Sequence, residues 1–150
     1  MGCIQSLHSA YTMRCVGRSA EAQADLDRAV AAIDRELAAN LELTSMFDQT
    51  KQAFVLENGQ FLAASSVLET EAPAAYAFVA DLYMRIPSVE NSMEKRGPAG
   101  TIPLADELVI HEWEGDAREA QRLLRASLAQ APASRWSKLS ARLRARLPGR

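Results

Sequence analysis

The sequence predicts an all-α fold: a helical bundle with one long N-terminal helix, antiparallel partners and a short basic amphipathic helix at the C-terminal end. Apolar residues recur three and four positions apart over long stretches, which is the period of a helix face. Alanine, leucine, arginine and glutamate dominate, whereas the 7 glycines and 6 prolines gather at a few joints. A chain of 150 residues with 48% hydrophobic content can bury one core, so we expect one domain.

The long helix is predicted from an apolar seam that repeats every seven residues. Ser19 is its expected N-cap, and Asn58-Gly59 is its expected end. Charged residues, Glu36 among them, are predicted to lie mostly off the seam, whereas Leu41 and Leu43 widen it beyond the narrow line of a dimeric coiled coil. A globular bundle is therefore favoured over a zipper. The seam consists of Leu26, Val30, Ile33, Leu37, Asn40, Thr44 and Phe47.

Asn40 is the polar member of this seam. A buried amide must be hydrogen-bonded, because burial without a partner costs free energy. We therefore predict a structural role in which Asn40 fixes the register of the bundle by bonding to a facing side chain or backbone group. Asn91 and Tyr83 are the candidate partners.

Shorter helices are predicted after the long one. A second helix spans residues 60–69, and a third begins at Ala72-Pro73 and packs antiparallel against the first. Pro87 predicts either a kink near residues 83–86 or a break with a new start at Ser88, because proline removes one helical hydrogen bond.

The clearest joint in the chain is the glycine- and proline-rich stretch 96–103. A fourth helix is predicted from Pro103 or Leu104 to about Gln130. The residues of this helix available for burial are Leu108, Trp113, Ala117, Ala120, Leu124 and Leu128.

The charge distribution separates a tail from the body. Residues 134–150 contain six of the 17 basic residues and none of the 19 acidic ones, so residues 1–133 have a net charge of -8. We assign residues 19–131 to the bundle and 132–150 to a basic tail helix. That helix could pack on the bundle, which is the favoured interpretation, lie on an anionic membrane or contact nucleic acid. The acidic body opposes nucleic-acid binding. The predicted membrane- or partner-binding surface of the tail consists of Arg135, Trp136, Lys138, Arg142, Arg144 and Arg146.

The N-terminal residues 1–18 have no helical or strand period and are expected to form a flexible arm. Gly2, Cys3 and Ser6 fit the pattern for N-myristoylation at the glycine with palmitoylation at the cysteine. The opening MGCIQS resembles the dual-acylation start of some eukaryotic signalling proteins and of certain bacterial effectors. Alternatively, these residues are an incidental leader, and the true start is Met13 or a site further upstream.

Few residues suggest chemistry. Glu107, His111 and Glu114 are one helical turn apart and could share a face that holds a metal ion. No other predicted helix offers a histidine, so a solvated face with a local charge pair is favoured. No nucleophile elbow or phosphate-binding loop occurs, and we expect no cofactor and no catalytic activity.

Two cysteines without a C-x-x-C pair fit a reduced, cytoplasmic setting. The sequence has no run of 18 apolar residues, so no membrane span is predicted.

The stretch from Arg35 to Leu43, with Leu82 to Ile86 and Asn91, resembles the soluble helical portion of uncharacterised bacterial single-pass membrane proteins. Those proteins usually place a transmembrane helix just before the first stretch, which this sequence does not. The resemblance implies a helical, membrane-associated and non-enzymatic protein.

The sequence as a whole favours a non-catalytic helical interaction or regulatory module, peripheral to the inner face of a membrane. The expected partners are another protein, a second copy of the chain or an anionic membrane surface, and nucleic acid is not expected. The two alternatives are a metal- or small-molecule-binding helical enzyme and an N-acylated effector.

Overall fold

Five α-helices form the regular structure of residues 18–97 and 100–129, which are the residues that the computed structural model describes. Within those ranges there is no β-strand, so the predicted all-α class is confirmed. The helices are α1 (Ala20–Thr50), α2 (Gly59–Glu71), α3 (Pro73–Met84), α4 (Ile86–Glu94) and α5 (Leu104–Ala129). The predicted acylation residues Gly2 and Cys3 and the predicted basic tail helix lie outside the described residues.

Helix α1 begins where the sequence predicts. The hydroxyl of Ser19 accepts a hydrogen bond from the backbone N–H of Ala22 at 3.1 Å, and this bond caps the first turn. All seven residues of the predicted seam are buried, and Leu26, Ile33, Leu37 and Phe47 are 0% exposed. Full burial of one large apolar side chain contributes roughly 1.5–3 kcal/mol, so the seam is a major source of folding free energy.

The predicted end of α1 at Asn58-Gly59 is wrong. The helix ends at Thr50, and Lys51 adopts a left-handed conformation with φ of 53°, from which its N–H donates to the carbonyl of Phe47 at 2.7 Å. Phe54 continues the seven-residue repeat from Phe47, so apolar periodicity alone could not predict that the helix ends at Thr50. Gly59 is the first residue of α2 rather than the stop of α1.

Pro87 breaks the helical path instead of kinking it. Helix α3 ends at Met84, Arg85 forms the junction, and α4 begins at Ile86, two residues before the expected restart at Ser88. Proline is tolerated here because the first-turn N–H groups of a helix have no intrahelical partner.

Helix α5 is the common packing partner of three other helices. It packs against α1, α3 and α4, while α2 packs against α1 and α3. The third helix, expected to pack antiparallel against the first, has its main contacts with α2 and α5 and reaches α1 through the hydrogen bond from Tyr83 to Glu36. No described helix combines enough length with enough apolar character to cross a bilayer.

Most of the predicted core residues of α5 are buried, with Trp113 at 1% exposure and Leu124 at 0%. The indole N–H of Trp113 donates to the carbonyl of Leu82 at 3.1 Å, which ties α5 to α3. The prediction was wrong for Leu108, which is 52% exposed, and it missed Ile110, which is 1% exposed. The buried face of α5 passes through Ile110 and Trp113, and Leu108 lies outside it.

The burial of the seam predicts that aspartate destabilises the fold far more at position 37 than at the neighbouring position 38 of α1. Leu37→Asp places a carboxylate at a fully buried position, and we expect the free energy of unfolding to fall by at least about 3 kcal/mol. Ala38→Asp makes the same change at an exposed position and is expected to cost less than about 1 kcal/mol. Urea denaturation followed by circular dichroism measures both. Equal losses in the two variants would contradict the packing of α1.

Candidate functional site

A buried carboxylate on α1 organises the polar part of the core. Glu36 is 4% exposed, and its side chain accepts hydrogen bonds from the backbone N–H groups of Gln60 at 2.6 Å and Phe61 at 3.0 Å. These N–H groups belong to the first turn of α2, and Asn58, which precedes that helix, makes no side-chain cap. Glu36 therefore caps α2 from a different helix, where the positive end of the helix dipole stabilises its charge. The expectation that Glu36 lies off the buried face is wrong.

Tyr83 supplies the third hydrogen bond to this carboxylate, from its hydroxyl to Oε1 of Glu36 at 2.8 Å. Burial raises the pKa of the Tyr83 phenol well above its ordinary value, and the hydrogen bond and the negative charge of Glu36 raise it further. The phenol therefore remains protonated and acts as a donor. Its ring stacks on Phe61 with 4.4 Å between ring centroids.

Asn40 lies one turn further along α1 and is 0% exposed. Its amide nitrogen donates to the carbonyl of Glu57 at 2.7 Å, and its amide oxygen accepts from the N–H of the same residue at 2.7 Å. The partner is thus backbone from the connection between α1 and α2, not Asn91 or Tyr83. Asn91 is exposed on α4.

Glu90 on α4 extends this arrangement. Its carboxylate accepts a hydrogen bond from the backbone N–H of Leu56 at 2.8 Å. Glu36, Asn40 and Glu90 together hold the backbone of residues 56–61. Glu36 and Asn40 are buried and Glu90 is half-buried, and each is hydrogen-bonded to the backbone of this connection, so we interpret the three as a structural cluster.

A second cluster lies between the end of α1 and the middle of α5. Ligand atoms of Asp48, His111 and Glu114 all lie within 4.8 Å of one another. Nδ1 of His111 is 3.5 Å from Oε2 of Glu114. The sequence predicted these two residues together with Glu107, but the carboxylate of Glu107 instead lies 3.4 Å from the ammonium of Lys51. Asp48 was missed because it comes from a helix distant in sequence.

A third polar contact joins the end of α4 to the start of α5. The carboxylate of Asp106 accepts hydrogen bonds from Lys95 at 2.6 Å and from Ser92 at 3.0 Å. The pKa of Asp106 is lowered from 3.8, mainly by the hydrogen bond from Lys95. Burial acts in the opposite direction, while the Ser92 bond and the charge of Lys95 add to the lowering.

A shallow depression lies between α1 and α2 and is lined by Ala22, Asp25, Ser66, Val67, Thr70 and Glu71. Its two carboxylates are already engaged, since Asp25 pairs with Arg28 and Glu71 pairs with Arg18. We find no grouping of a nucleophile with an activating base in this depression.

Comparison of the chain with models of known protein families, with curated proteins and with solved structures finds no match. The geometry and charge of the chain are therefore the basis for assigning a function.

The pairing of Asn40 with Glu57 predicts a large effect for a nearly isosteric change. Asn40→Asp replaces the donor that faces the Glu57 carbonyl with a buried negative oxygen, and we expect a loss of about 2–4 kcal/mol in the free energy of unfolding. The same change at exposed Asn91 is the control and is expected to cost less than about 1 kcal/mol. Denaturation by urea compares the two variants. A neutral effect of Asn40→Asp would show that the Glu57 contact does not stabilise the fold.

The lowered pKa of Asp106 predicts a pH-dependent contribution to stability. A carboxyl group whose pKa is lower in the folded state stabilises the protein above its ordinary pKa, and this contribution disappears as the pH falls through the folded value. Asp106→Asn should therefore be less stable than the natural chain at neutral pH, with the difference shrinking as the pH falls below the ordinary aspartate pKa of about 4. Urea denaturation at several pH values measures it. Glu94→Gln, at an exposed carboxylate on α4, is the control for the loss of one negative charge and should change the free energy of unfolding at neutral pH by less than about 1 kcal/mol.

Proposed function

We propose that this chain is a non-catalytic helical interaction module that binds an anionic membrane surface through its basic segment. The observation that carries the proposal is the charge separation: residues 134–150 hold six basic residues and no acidic one, against a net charge of -8 for residues 1–133. Each lysine or arginine close to an anionic bilayer contributes roughly 1 kcal/mol of attraction. Six such residues provide enough attraction for peripheral binding.

The spacing of apolar residues in the segment supports the same role. Trp136, Leu139, Leu143 and Leu147 are three and four apart, with arginines between them. A helix with this pattern lies in the membrane interface, with its apolar side among the acyl chains and its cations beside the headgroups. A tryptophan at the edge of such a helix is favoured there because its ring is apolar and its N–H is polar.

The described body supports a non-catalytic role. The polar side chains of Glu36, Asn40 and Asp106 are buried, and each is used to hold a neighbouring segment. General acid–base or nucleophilic catalysis requires titratable groups that converge on a space for substrate. The one surface depression considered above has its carboxylates paired with arginines.

Vesicle flotation tests this function. The full chain should float with vesicles of phosphatidylcholine and phosphatidylglycerol, but not with phosphatidylcholine alone. Binding should fall when the ionic strength is raised to about 1 M, because the Debye length then shortens to about 3 Å. Replacing Arg142, Arg144 and Arg146 with glutamine should abolish most of the binding.

The matched control replaces three exposed arginines of α5 with glutamine, which removes the same charge from the body. Those residues are Arg118, Arg122 and Arg125. This control should float as the natural chain does. If the tail variant floats equally well, or if the natural chain does not float at all, the proposed membrane role is refuted and packing of the tail on the acidic body becomes the better interpretation.

A further inference from the structure

We propose that Asp48, His111 and Glu114 form a binding site for a divalent transition-metal ion of the zinc class, which bridges the end of α1 and the middle of α5. The three residues offer one imidazole nitrogen and two carboxylate oxygens, all within 4.8 Å of one another. One nitrogen and two oxygen ligands leave at least one coordination position for water.

The two ligands on α5 already have a distance suited to a metal ion. Nδ1 of His111 and Oε2 of Glu114 are 3.5 Å apart. Two ligands of a tetrahedral zinc ion, each about 2.0–2.1 Å from the metal, lie about 3.3 Å from each other. Helical-bundle metal sites use a glutamate and a histidine at the same spacing of three residues, in the order Glu-x-x-His, whereas here the histidine comes first. Only a small side-chain movement is needed to place both on one ion.

Glu114 provides an independent reason to expect a cation here. Its side chain is 10% exposed, and its polar contacts among the described residues are long: 3.5 Å to His111 and 3.8 Å to Arg118. By contrast, the buried carboxylate of Glu36 accepts three hydrogen bonds of 2.6 to 3.0 Å. A buried carboxylate with only long contacts is incompletely stabilised. A metal ion held with His111 would place positive charge closer to this carboxylate than the guanidinium of Arg118 does.

Asp48 completes the set from the last turn of α1. Its side chain is 39% exposed, so it can change rotamer to approach an ion next to α5. Its present contact is a 3.8 Å ion pair with Lys51, whose ammonium is closer to Glu107 at 3.4 Å. Metal binding can therefore take Asp48 from Lys51 without leaving that ammonium unpaired. The carbonyl groups at the end of α1 carry partial negative charge and also favour a cation.

The ligand chemistry selects the metal. Imidazole binds zinc, nickel and copper well, whereas magnesium and calcium prefer oxygen ligands alone. His111 is half-exposed, with 51% of its side chain accessible, so an ion can enter from solvent. A bound ion would join helices α1 and α5, and it would raise the stability of the folded chain because the unfolded chain does not hold the three ligands together.

The test is Zn²⁺ titration of the full chain carrying Cys3→Ser and Cys15→Ser, because the two thiols could bind zinc independently. Isothermal titration calorimetry should detect binding of Zn²⁺ and not of Mg²⁺. At a free Zn²⁺ concentration about a hundredfold above the Kd, Tm should rise by roughly 5–10 °C. His111→Ala and Asp48→Asn should each weaken Zn²⁺ binding by roughly tenfold or more, because loss of an outer-shell partner alone costs 10–100-fold.

Two matched controls locate the site. Glu107→Gln removes the neighbouring carboxylate that pairs with Lys51, and His8→Ala removes the other histidine of the chain. Both should bind Zn²⁺ as the parent does. Glu114 is left unchanged because its burial makes its replacement a change in folding as well. Absence of binding in the parent overturns the proposal. Unchanged affinity in His111→Ala, or loss of affinity in His8→Ala, does so as well.

Discussion

The carboxylate of Glu36 accepts two backbone N–H groups from the first turn of α2 and the hydroxyl of Tyr83 on α3. One side chain on α1 therefore fixes the start of α2 and contacts a third helix. Transfer of a charged group from water into a core is unfavourable. Here the cost is offset by three hydrogen bonds, two from the first turn of α2 and one from Tyr83, and by the positive end of the α2 dipole. The position of α2 depends on this interaction because α2 has no side-chain cap of its own.

Asn40 and Glu90 act on the preceding residues in the same manner, since each binds backbone groups of the connection between α1 and α2. A connection normally exposes its N–H and C=O groups to water. Here these groups are held against the core by side chains from two helices. The path of the chain from Leu56 to Phe61 is thus set by polar contacts, whereas the packing of α1 is set by its apolar seam.

The difference between these two kinds of contact explains what the sequence could predict. The seam of α1, the cap at Ser19 and the proline start of α3 are local patterns, and the structure has all three. The end of α1 depends on the left-handed conformation of Lys51, which a lysine does not indicate by its residue type. The burial of Glu36 depends on the backbone N–H groups of Gln60 and Phe61, which lie far along the chain. The same reasoning applies to the candidate metal cluster: His111 and Glu114 share one helix and could be paired from spacing, but Asp48 could not. Leu108 was assigned to the core from its type and spacing, although packing turns another face of α5 inward.

The late position of α5 in the described chain has a consequence during biosynthesis. Helix α5 is the last described element along the chain, yet it packs against α1, α3 and α4. A ribosome adds roughly 5–20 residues per second, so the earlier helices are made before their common neighbour exists. During that interval the apolar side chains of Val79, Leu82 and Val89 have no complete cover. A nascent chain that stalls before residue 104 would therefore expose apolar surface that chaperones can bind. This exposure ends when α5 emerges from the ribosomal exit tunnel and packs against the earlier helices.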